Sequence, residues 1–233
     1  MIAKDVSSSI SAPKAPRRRN AHLSHEQVGT LLATAREPVR PVLAAMAWCG
    51  LRIGEVLGFD IADIDWLTAT ASITKQQATD YANAEVGALP KPEAGIRTVP
   101  MPHELVQMCS SMLADRRNRV AGDLPRYLWS SPNGERMQRT TIDSEIRRIR
   151  RLTGIEFSAH HLRHYYGAAL LSAGVPIAQV AEQMGHASRQ VTLRVYAYAM
   201  KDDADLGRAA VAAMAQLSVA SAPDVHQSAG ESA

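Results

Sequence analysis

Histidine, arginine and tyrosine are concentrated in residues 158–200, a stretch that otherwise consists largely of Ala, Leu and Val at helical spacing. His160 and Arg163 are three residues apart, so a helix would place both side chains on one face. His186 and Tyr196 follow on later elements. Because a guanidinium is permanently charged and can donate to two phosphate oxygens at once, this combination of side chains predicts phosphate chemistry.

Several familiar kinds of site lack their motifs in this sequence. The G-x-x-x-x-G-K-[ST] loop of nucleotide hydrolysis and the G-x-G-x-x-G turn of dinucleotide binding are both missing. The G-x-S-x-G elbow of serine hydrolases is missing as well. His160 and His164 have the spacing of an H-E-x-x-H zinc site, but His161 stands where that motif has its glutamate. The sequence therefore predicts neither a metal nor another cofactor, and metal-free phosphoryl transfer remains.

Metal-free transfer of a phosphodiester requires fixed cations, because its pentavalent transition state carries about two negative charges. Arg52 and Arg163 are the candidates for a clamp on the phosphate oxygens. A tyrosine nucleophile has a free pKa of about 10 and needs a base, for which His160 is the candidate. His186 is the candidate donor to the phosphate, and Lys91, on a turn, is the candidate acid for the leaving alkoxide.

Two helices are predicted to position the candidates between residues 158 and 186. Ser158 is a predicted N-cap, Gly174 ends that helix, and a second helix begins at Pro176 and ends at Gly185. The first of these helices has a predicted apolar stripe formed by Leu162, Tyr165, Tyr166, Ala169 and Leu170.

Upstream, a capping box from Ser24 to Gln27 starts an earlier helix, and a very apolar helix over residues 39–49 ends at Gly50. Arg52 follows directly. A simple ion pair between Arg52 and Glu55 at helical spacing would explain both residues without any function.

Between the helical parts the pattern changes to that of strands. Residues 70–75, 86–89 and 97–99 predict three short antiparallel strands, and residues 63–66 predict a turn. Lys91 lies in the turn before the third strand, where a lysine on its own is usually only solvated. The predicted fold class is therefore mixed α+β, mainly helical, with a small three-stranded antiparallel sheet.

Basic side chains are clustered, although the net charge is only +3. Residues 1–20 are predicted to be a flexible linker that ends in three arginines, and the helix over residues 141–152 ends in a second basic group. Solvated surface is the alternative for the first group. Clustered cations favour contact with the DNA backbone, and the candidates are Arg17, Arg18, Arg19, Arg147, Arg148 and Arg151.

Cys49 and Cys109 lack metal-ligand spacing, which is typical of a reducing compartment. No signal peptide and no apolar run of membrane length is present, so a cytoplasmic protein without membrane contact is expected. Residues 218–233 are predicted to be a disordered tail from their composition.

Taken together, the motifs resemble the catalytic domain of tyrosine recombinases, the phage integrase family with its Xer and Cre relatives. The resemblance covers roughly residues 23–198 and departs from the usual pattern at His161, where an acidic residue is common. Five pieces occur in the family's order: GLRIGEVL at 50–57, the hairpin at 89–100, HHLRH at 160–164, MGH at 184–186 and TLRVY at 192–196.

The resemblance implies a tyrosine recombinase catalytic-domain fold over residues 21–217. It implies that the Tyr196 hydroxyl attacks the scissile phosphate, forming a 3′-phosphotyrosyl link and freeing a 5′-hydroxyl without ATP. Lys75 is the alternative to Lys91, and Tyr198 lies outside the motif spacing. The implied catalytic set is Arg52, Lys91, His160, Arg163, His186 and the nucleophile Tyr196, with Glu55 as the acidic partner of Arg52.

The implied function is site-specific integration or excision of DNA for a phage or mobile element. The implied partner is double-stranded DNA, on which the chain would form a homotetrameric synapse while remaining a monomer or weak oligomer when free. The N-terminal core-binding domain usual in the family is not visible in the sequence, so a truncated, non-catalytic DNA-binding or assembly module is the main alternative. Relaxation of supercoils, as by a type IB topoisomerase, is a third hypothesis.

Overall fold

A computed structural model describes residues 22–77, 86–88, 96–119, 126–131 and 134–186. The helices in these ranges are α1 His25–Thr34, α2 Val39–Cys49, α3 Ile53–Leu57, α4 His103–Arg119, α5 Arg139–Thr153, α6 Ala159–Ser172 and α7 Ile177–Gln183. The strands are β1 Ile64–Asp65, β2 Thr70–Ile73, β3 Gln76–Gln77, β4 Val86–Ala88 and β5 Arg97–Pro100. A short 3-10 turn, Ile61–Asp63, precedes β1.

The helix ends follow the predicted capping signals. The Ser24 hydroxyl accepts from the Gln27 amide at 3.1 Å, and the Gln27 side chain accepts from the Ser24 amide at 2.9 Å, which completes the capping box of α1. α2 ends at Gly50, whose φ is +65°. A Cβ at Gly50 would lie 2.3 Å from Cδ1 of Tyr166, so both the backbone conformation and the close approach require glycine here.

The apolar helix α2 lies at the centre of the core. It packs most extensively against α6 and also contacts α1, α3, α4 and α5. Val42, Leu43 and Ala44 of α2 are completely buried. All five residues of the predicted apolar stripe on α6 are buried as well, which confirms that prediction. The packed pair α2 and α6 therefore positions His160 and Arg163, which lie on α6, and Arg52, which follows α2.

The predicted fold class is confirmed, but the sheet has different members from those expected. The three-stranded antiparallel sheet has the order β1-β2-β5, whereas β4 pairs with β3 in a separate two-stranded sheet. The prediction of a turn over residues 63–66 is therefore wrong, because it overlaps β1. The Asp65 carboxylate accepts from the amides of Leu67 and Thr68 at 2.9 and 3.1 Å, and these bonds move the turn to the residues after β1.

None of the helices in the part of the chain that the structure describes is both long and apolar enough to cross a membrane. Cys49 and Cys109 are buried free thiols. Burial raises the pKa of Cys109 to about 12.

Candidate active site

Four of the predicted catalytic residues converge in one region of the molecule. Arg52 precedes α3, His160 and Arg163 lie in the first turns of α6, and His186 follows α7. Arg52 and Arg163 donate to the carbonyls of Gly185 and Met184, next to His186. Burial, and then nearby charges that include Arg163 and Arg52, lowers the pKa of both His160 and His186. The structure thus brings together residues that are as far as 134 positions apart in the sequence.

Arg52 is fixed by Glu55 and by the chain after α7. Its Nη1 donates to Glu55 Oε1 at 2.6 Å, and its amide donates to Glu55 Oε2 at 2.8 Å. Its Nη2 donates to the Gly185 carbonyl at 2.6 Å. The predicted ion pair is therefore present, but the Arg52 side chain remains 33% exposed. Since a guanidinium has five N–H donors and two are used here within the described ranges, Arg52 keeps donors for a further acceptor.

Glu55 is completely buried and is bound by a second arginine. Nη1 and Nη2 of Arg97 donate to the two carboxylate oxygens at 3.1 and 3.0 Å. Burial acts to raise the pKa of Glu55, but the hydrogen bonds and charge of Arg97, together with Arg52, hold it below its ordinary value. Arg97 was not among the predicted site residues. Its only sequence signal was its position in the hairpin motif, which does not indicate which way the side chain points.

Arg163 is almost completely buried, with 1% of the residue exposed. It donates from Nη1 to the Gly50 carbonyl and from Nη2 to the Met184 carbonyl. Its Nη1 also lies 3.9 Å from Glu55 Oε2. In this structure Arg163 ties the end of α2 to the end of α7, and its contact with a phosphate remains a prediction.

The chain at the end of α7 is held by arginines from three different elements. Three consecutive backbone carbonyls each accept from one of them: Gln183 from Arg97 at 2.7 Å, Met184 from Arg163, and Gly185 from Arg52 at 2.6 Å. We call these residues, 183–185, the α7 end. His186 follows directly. The hydrogen bonds from the three arginines to these carbonyls therefore also position the backbone that carries the His186 imidazole.

The two imidazoles of the site are electrically neutral near pH 7. Burial, followed by the charges of Arg163, Arg52 and Arg97, lowers the pKa of His186 to about 4. The pKa of His160 is lowered by the protein atoms around it and then by Arg163, although the residue as a whole stays exposed. A neutral imidazole can accept a proton or donate one N–H, so both predicted roles are chemically available.

His161 occupies the position where the family usually has an acidic residue, and here it caps α6. Its Nδ1 accepts from the Ser158 amide at 3.0 Å, in place of the glutamate of a usual capping box. His164 contacts the His160 ring edge-on, with 4.0 Å between the ring centroids. Among the described residues, no three His, Cys, Asp or Glu side chains are arranged to hold a metal ion.

Tyr165 and Tyr166, the two tyrosines of the predicted apolar stripe on α6, are core residues, as predicted. The Tyr165 hydroxyl lies 2.8 Å from His25 Nδ1, and the Tyr166 hydroxyl donates to the Gln183 side chain at 3.0 Å. Burial raises the pKa of Tyr165 to about 12 and raises that of Tyr166 further. A phenol this difficult to ionise is a poor nucleophile.

Several predicted residues lie outside the described ranges. They are Arg17, Arg18, Arg19, Lys91, Tyr196 and Tyr198. The alternative lysine, Lys75, is described, and its ammonium lies 2.8 Å from carboxylate oxygens of both Asp60 and Asp63. These two ion pairs give Lys75 a structural role, which leaves Lys91 as the better candidate for the acid.

The predicted DNA-binding arginines of α5 differ in their surroundings. Arg147 and Arg151 are exposed, and Arg147 donates only to Ser144 among the contacts within the described ranges, at 2.8 Å. Arg148 instead donates to Glu145 and, at 2.6 Å, to the Thr34 carbonyl. The guanidinium of Arg148 therefore joins α5 to α1, and its contact with DNA remains a prediction.

Comparison with known proteins extends the sequence resemblance. The phage integrase family model matches residues 21–202. A XerC-like tyrosine recombinase of Caldanaerobacter subterraneus subsp. tengcongensis is 27% identical over 172 residues, which cover 64% of this chain and 42% of the relative. The tyrosine recombinase XerD of Proteus mirabilis is 26% identical over 198 residues, covering 81% of this chain and 58% of the relative. The chain thus spans about half the length of these curated relatives.

Among solved structures, the fold is similar to that of the Tn1549 transposon integrase in complex with transposon right end DNA. The TM-score is 0.65 at 20% sequence identity, and the match covers 91% of this chain and 70% of that one.

Proposed function

The chain belongs to the phage integrase family of tyrosine recombinases, and from that premise we propose that it cleaves and rejoins DNA at a specific site. The proposal assigns the nucleophile to Tyr196 and the catalytic domain to residues 21–217. The proposed substrate is double-stranded DNA of a phage or other mobile element, bound as a homotetrameric synapse. DNA-bound relatives such as the Tn1549 integrase support the choice of substrate.

In the proposed reaction the Tyr196 hydroxyl oxygen forms a bond to phosphorus while the bond from phosphorus to the 5′-oxygen breaks. His160 accepts the phenolic proton, and Lys91 gives a proton to the departing 5′-oxygen. A 5′-hydroxyl from the same or a partner duplex then attacks the phosphotyrosyl link and restores the phosphodiester. Because the covalent link retains the energy of the original ester, the cycle needs no nucleotide.

The observation that carries the proposal is the excess of arginines over carboxylates, among the described residues, around the buried Glu55 side chain. Arg52, Arg97 and Arg163 surround Glu55, while His160 and His186 remain neutral. A phosphodiester at its transition state brings about two negative charges, which such a fixed group of arginines would stabilise without reorganisation. Arg52 is the partly exposed member of the group and is therefore the proposed first contact of the phosphate.

The proposal can be tested by covalent trapping. A pool of nicked suicide duplexes with randomised arms is incubated with the full chain, and adducts that survive denaturing electrophoresis are sequenced. Wild type is expected to form an adduct enriched in one sequence, and Tyr196→Phe is expected to form none. An adduct with Tyr196→Phe would show that the assigned nucleophile is wrong.

The alternative is a DNA-binding or assembly module without catalysis, which the short span relative to the curated relatives keeps in consideration. Specific retention of duplexes by the wild type without any covalent adduct would favour this alternative. Loss of binding as salt is raised would then be steep, since phosphate contacts release counterions.

A further inference from the structure

We propose that Arg97 is a positioning residue of this site. It holds the Glu55 carboxylate and the α7 end in place, and through them it sets the Arg52 guanidinium and the His186 imidazole. The effect of Arg97 on catalysis rests on the proposed function, whereas its hydrogen bonds to Glu55 and to the α7 end are present in the free protein. None of the roles assigned above, of nucleophile, phosphate clamp, acid or base, belongs to Arg97.

Within the described ranges, all three guanidinium nitrogens of Arg97 donate to two acceptor groups from different parts of the chain. Nη1 and Nη2 form a fork on the Glu55 carboxylate, and Nε donates to the Gln183 carbonyl at 2.7 Å. The side chain is only 7% exposed. A lysine could retain the charge but would lack the planar fork that makes these bonds simultaneously.

The first consequence concerns Arg52. Glu55 accepts from the Arg52 amide and Nη1 with the same two oxygens that Arg97 binds. The orientation of this carboxylate therefore decides the orientation of Arg52. Without Arg97, the carboxylate would lose two donors and could rotate towards the remaining cations.

The second consequence concerns His186, which follows the α7 end. The Gln183 carbonyl that Arg97 binds lies three residues before it, and the His186 amide donates to the Ala181 carbonyl at 2.8 Å. Arg97 is also one of the charges that lower the pKa of His186. Removing Arg97 is thus expected both to loosen this turn and to make the imidazole easier to protonate.

The first measurement uses the free, full chain and requires no activity. Amide hydrogen exchange and the imidazole titration of His186 are followed by NMR in wild type, Arg97→Gln and Arg97→Lys. Arg40→Lys is the matched control, because Arg40 is a surface arginine whose Nε lies 3.6 Å from Glu37. The imidazole signal is assigned with His186→Gln.

We expect exchange of the Gly185 and His186 amides to become about tenfold faster or more in both Arg97 variants, equivalent to losing about one anchoring hydrogen bond. The titration midpoint of His186 should rise by about one pH unit in Arg97→Gln, where the charge is lost, and much less in Arg97→Lys. Unchanged exchange at these amides in both variants would overturn the proposal. Where Arg97→Gln does not fold, Glu55→Gln combined with Arg97→Gln removes the buried carboxylate that has lost two of its donors and permits the same measurement.

The second measurement uses the duplex identified by covalent trapping. Arg97→Lys should slow single-turnover cleavage about 100-fold at saturating DNA, since small displacements of reacting groups have effects of this size, while the Kd for DNA changes little. Equal losses in cleavage and in DNA affinity would contradict a positioning role. If the wild type itself forms no adduct, the proposed function fails, while the exchange experiment still decides the role of Arg97.

Discussion

Two buried carboxylates five residues apart, Glu55 and Asp60, each bind several cations, yet they form different kinds of cluster. Around Glu55 are three arginines and no second carboxylate among the described contacts. Around Asp60, the second carboxylate of Asp63 shares the Lys75 ammonium at 2.8 Å. We call the two groups the Glu55 cluster and the Asp60 cluster.

In the Asp60 cluster two carboxylates face three cations, and the most accessible of these cations, Arg126, is exposed to solvent. Arg126 binds Asp60 at 2.6 Å with 71% of its side chain exposed, and Arg136 lies 3.6 Å from the same carboxylate. The Glu55 cluster instead has three arginines for one carboxylate among the contacts of the described residues, and it lies beside two neutral imidazoles. A buried carboxylate bound by arginine is therefore not in itself a sign of function; the excess of arginines within the described ranges is what sets the Glu55 cluster, the proposed anion-binding site, apart from the Asp60 cluster.

The largest contrast is expected from removing the most exposed cation of each cluster. Arg52→Gln should slow single-turnover cleavage about 1,000-fold, because a fixed charge at the developing phosphorane would be lost. Arg126→Gln should change the rate by less than about twofold, since it faces solvent in the other cluster. Similar losses in both variants would remove the distinction between the two clusters.

The two candidate lysines provide a second contrast. Lys91→Met should slow cleavage about 100-fold, as expected for the loss of a general acid, and a 5′-thiol leaving group should restore much of the rate. A thiol is far more acidic than an alcohol and leaves without protonation. Lys75→Met should lower the urea midpoint with little change in rate. If the 5′-thiol duplex instead rescued Lys75→Met alone, the acid would belong to the Asp60 cluster.

Stability should respond in proportion to how deeply the cations are buried. Glu55→Gln removes the carboxylate next to the buried Arg97 and Arg163 guanidiniums and should cost about 3 kcal/mol of unfolding free energy. Asp60→Asn should cost less, about 1 kcal/mol, because Arg126 is exposed and Lys75 retains Asp63, so that the buried Arg136 is the cation most affected. Urea denaturation measures both values. The reverse order would mean that the Asp60 cluster carries more of the fold.

The smallest expected effect is a difference in the pH ranges over which the two clusters contribute to stability. The pKa of His186 lies near 4 when folded but at the ordinary 6.5 when unfolded, so the unfolded chain binds the extra proton between these values. Stability contributed by neutral His186 is therefore lost as the pH falls from about 6.5 to about 4. The lowered pKa of Asp60, whose ordinary value is 3.8, adds its loss only below that pH. A thermal melting series should show the first decline reduced, but not abolished, in His186→Gln, because burial also lowers the pKa of His164, to about 3, and the decline should be unchanged in Asp60→Asn.

The sequence predicted most of this arrangement where a local rule was sufficient. The Ser24 capping box, the glycine at the end of α2 and the apolar stripe of α6 all depend on residues near one another in the chain, and each was confirmed. The site residues were found differently. Arg52, His160, Arg163 and His186 were recognisable because their spacing matched motifs, and their convergence could not be calculated from periodicity.

The errors arose where tertiary contacts decided the outcome. β1 is only two residues long, too short for an alternating pattern, and it exists because β2 pairs with it. The contacts of Arg148 with Glu145 and with the end of α1 were likewise not predictable from its spacing, while its contact with DNA remains a prediction. Arg97 stood in a quoted motif without a role, because only the fold shows that it reaches across to Glu55.

The arginines that bind the α7 end also have a consequence for synthesis of the protein. Each contributes from a segment made earlier, whereas the carbonyls that order them, at residues 183–185, emerge from the ribosome much later. A nascent chain that stops before this point has the guanidiniums and Glu55 but lacks the three carbonyls that these arginines also bind. On the proposed function, incomplete translation products should therefore be unable to cleave DNA.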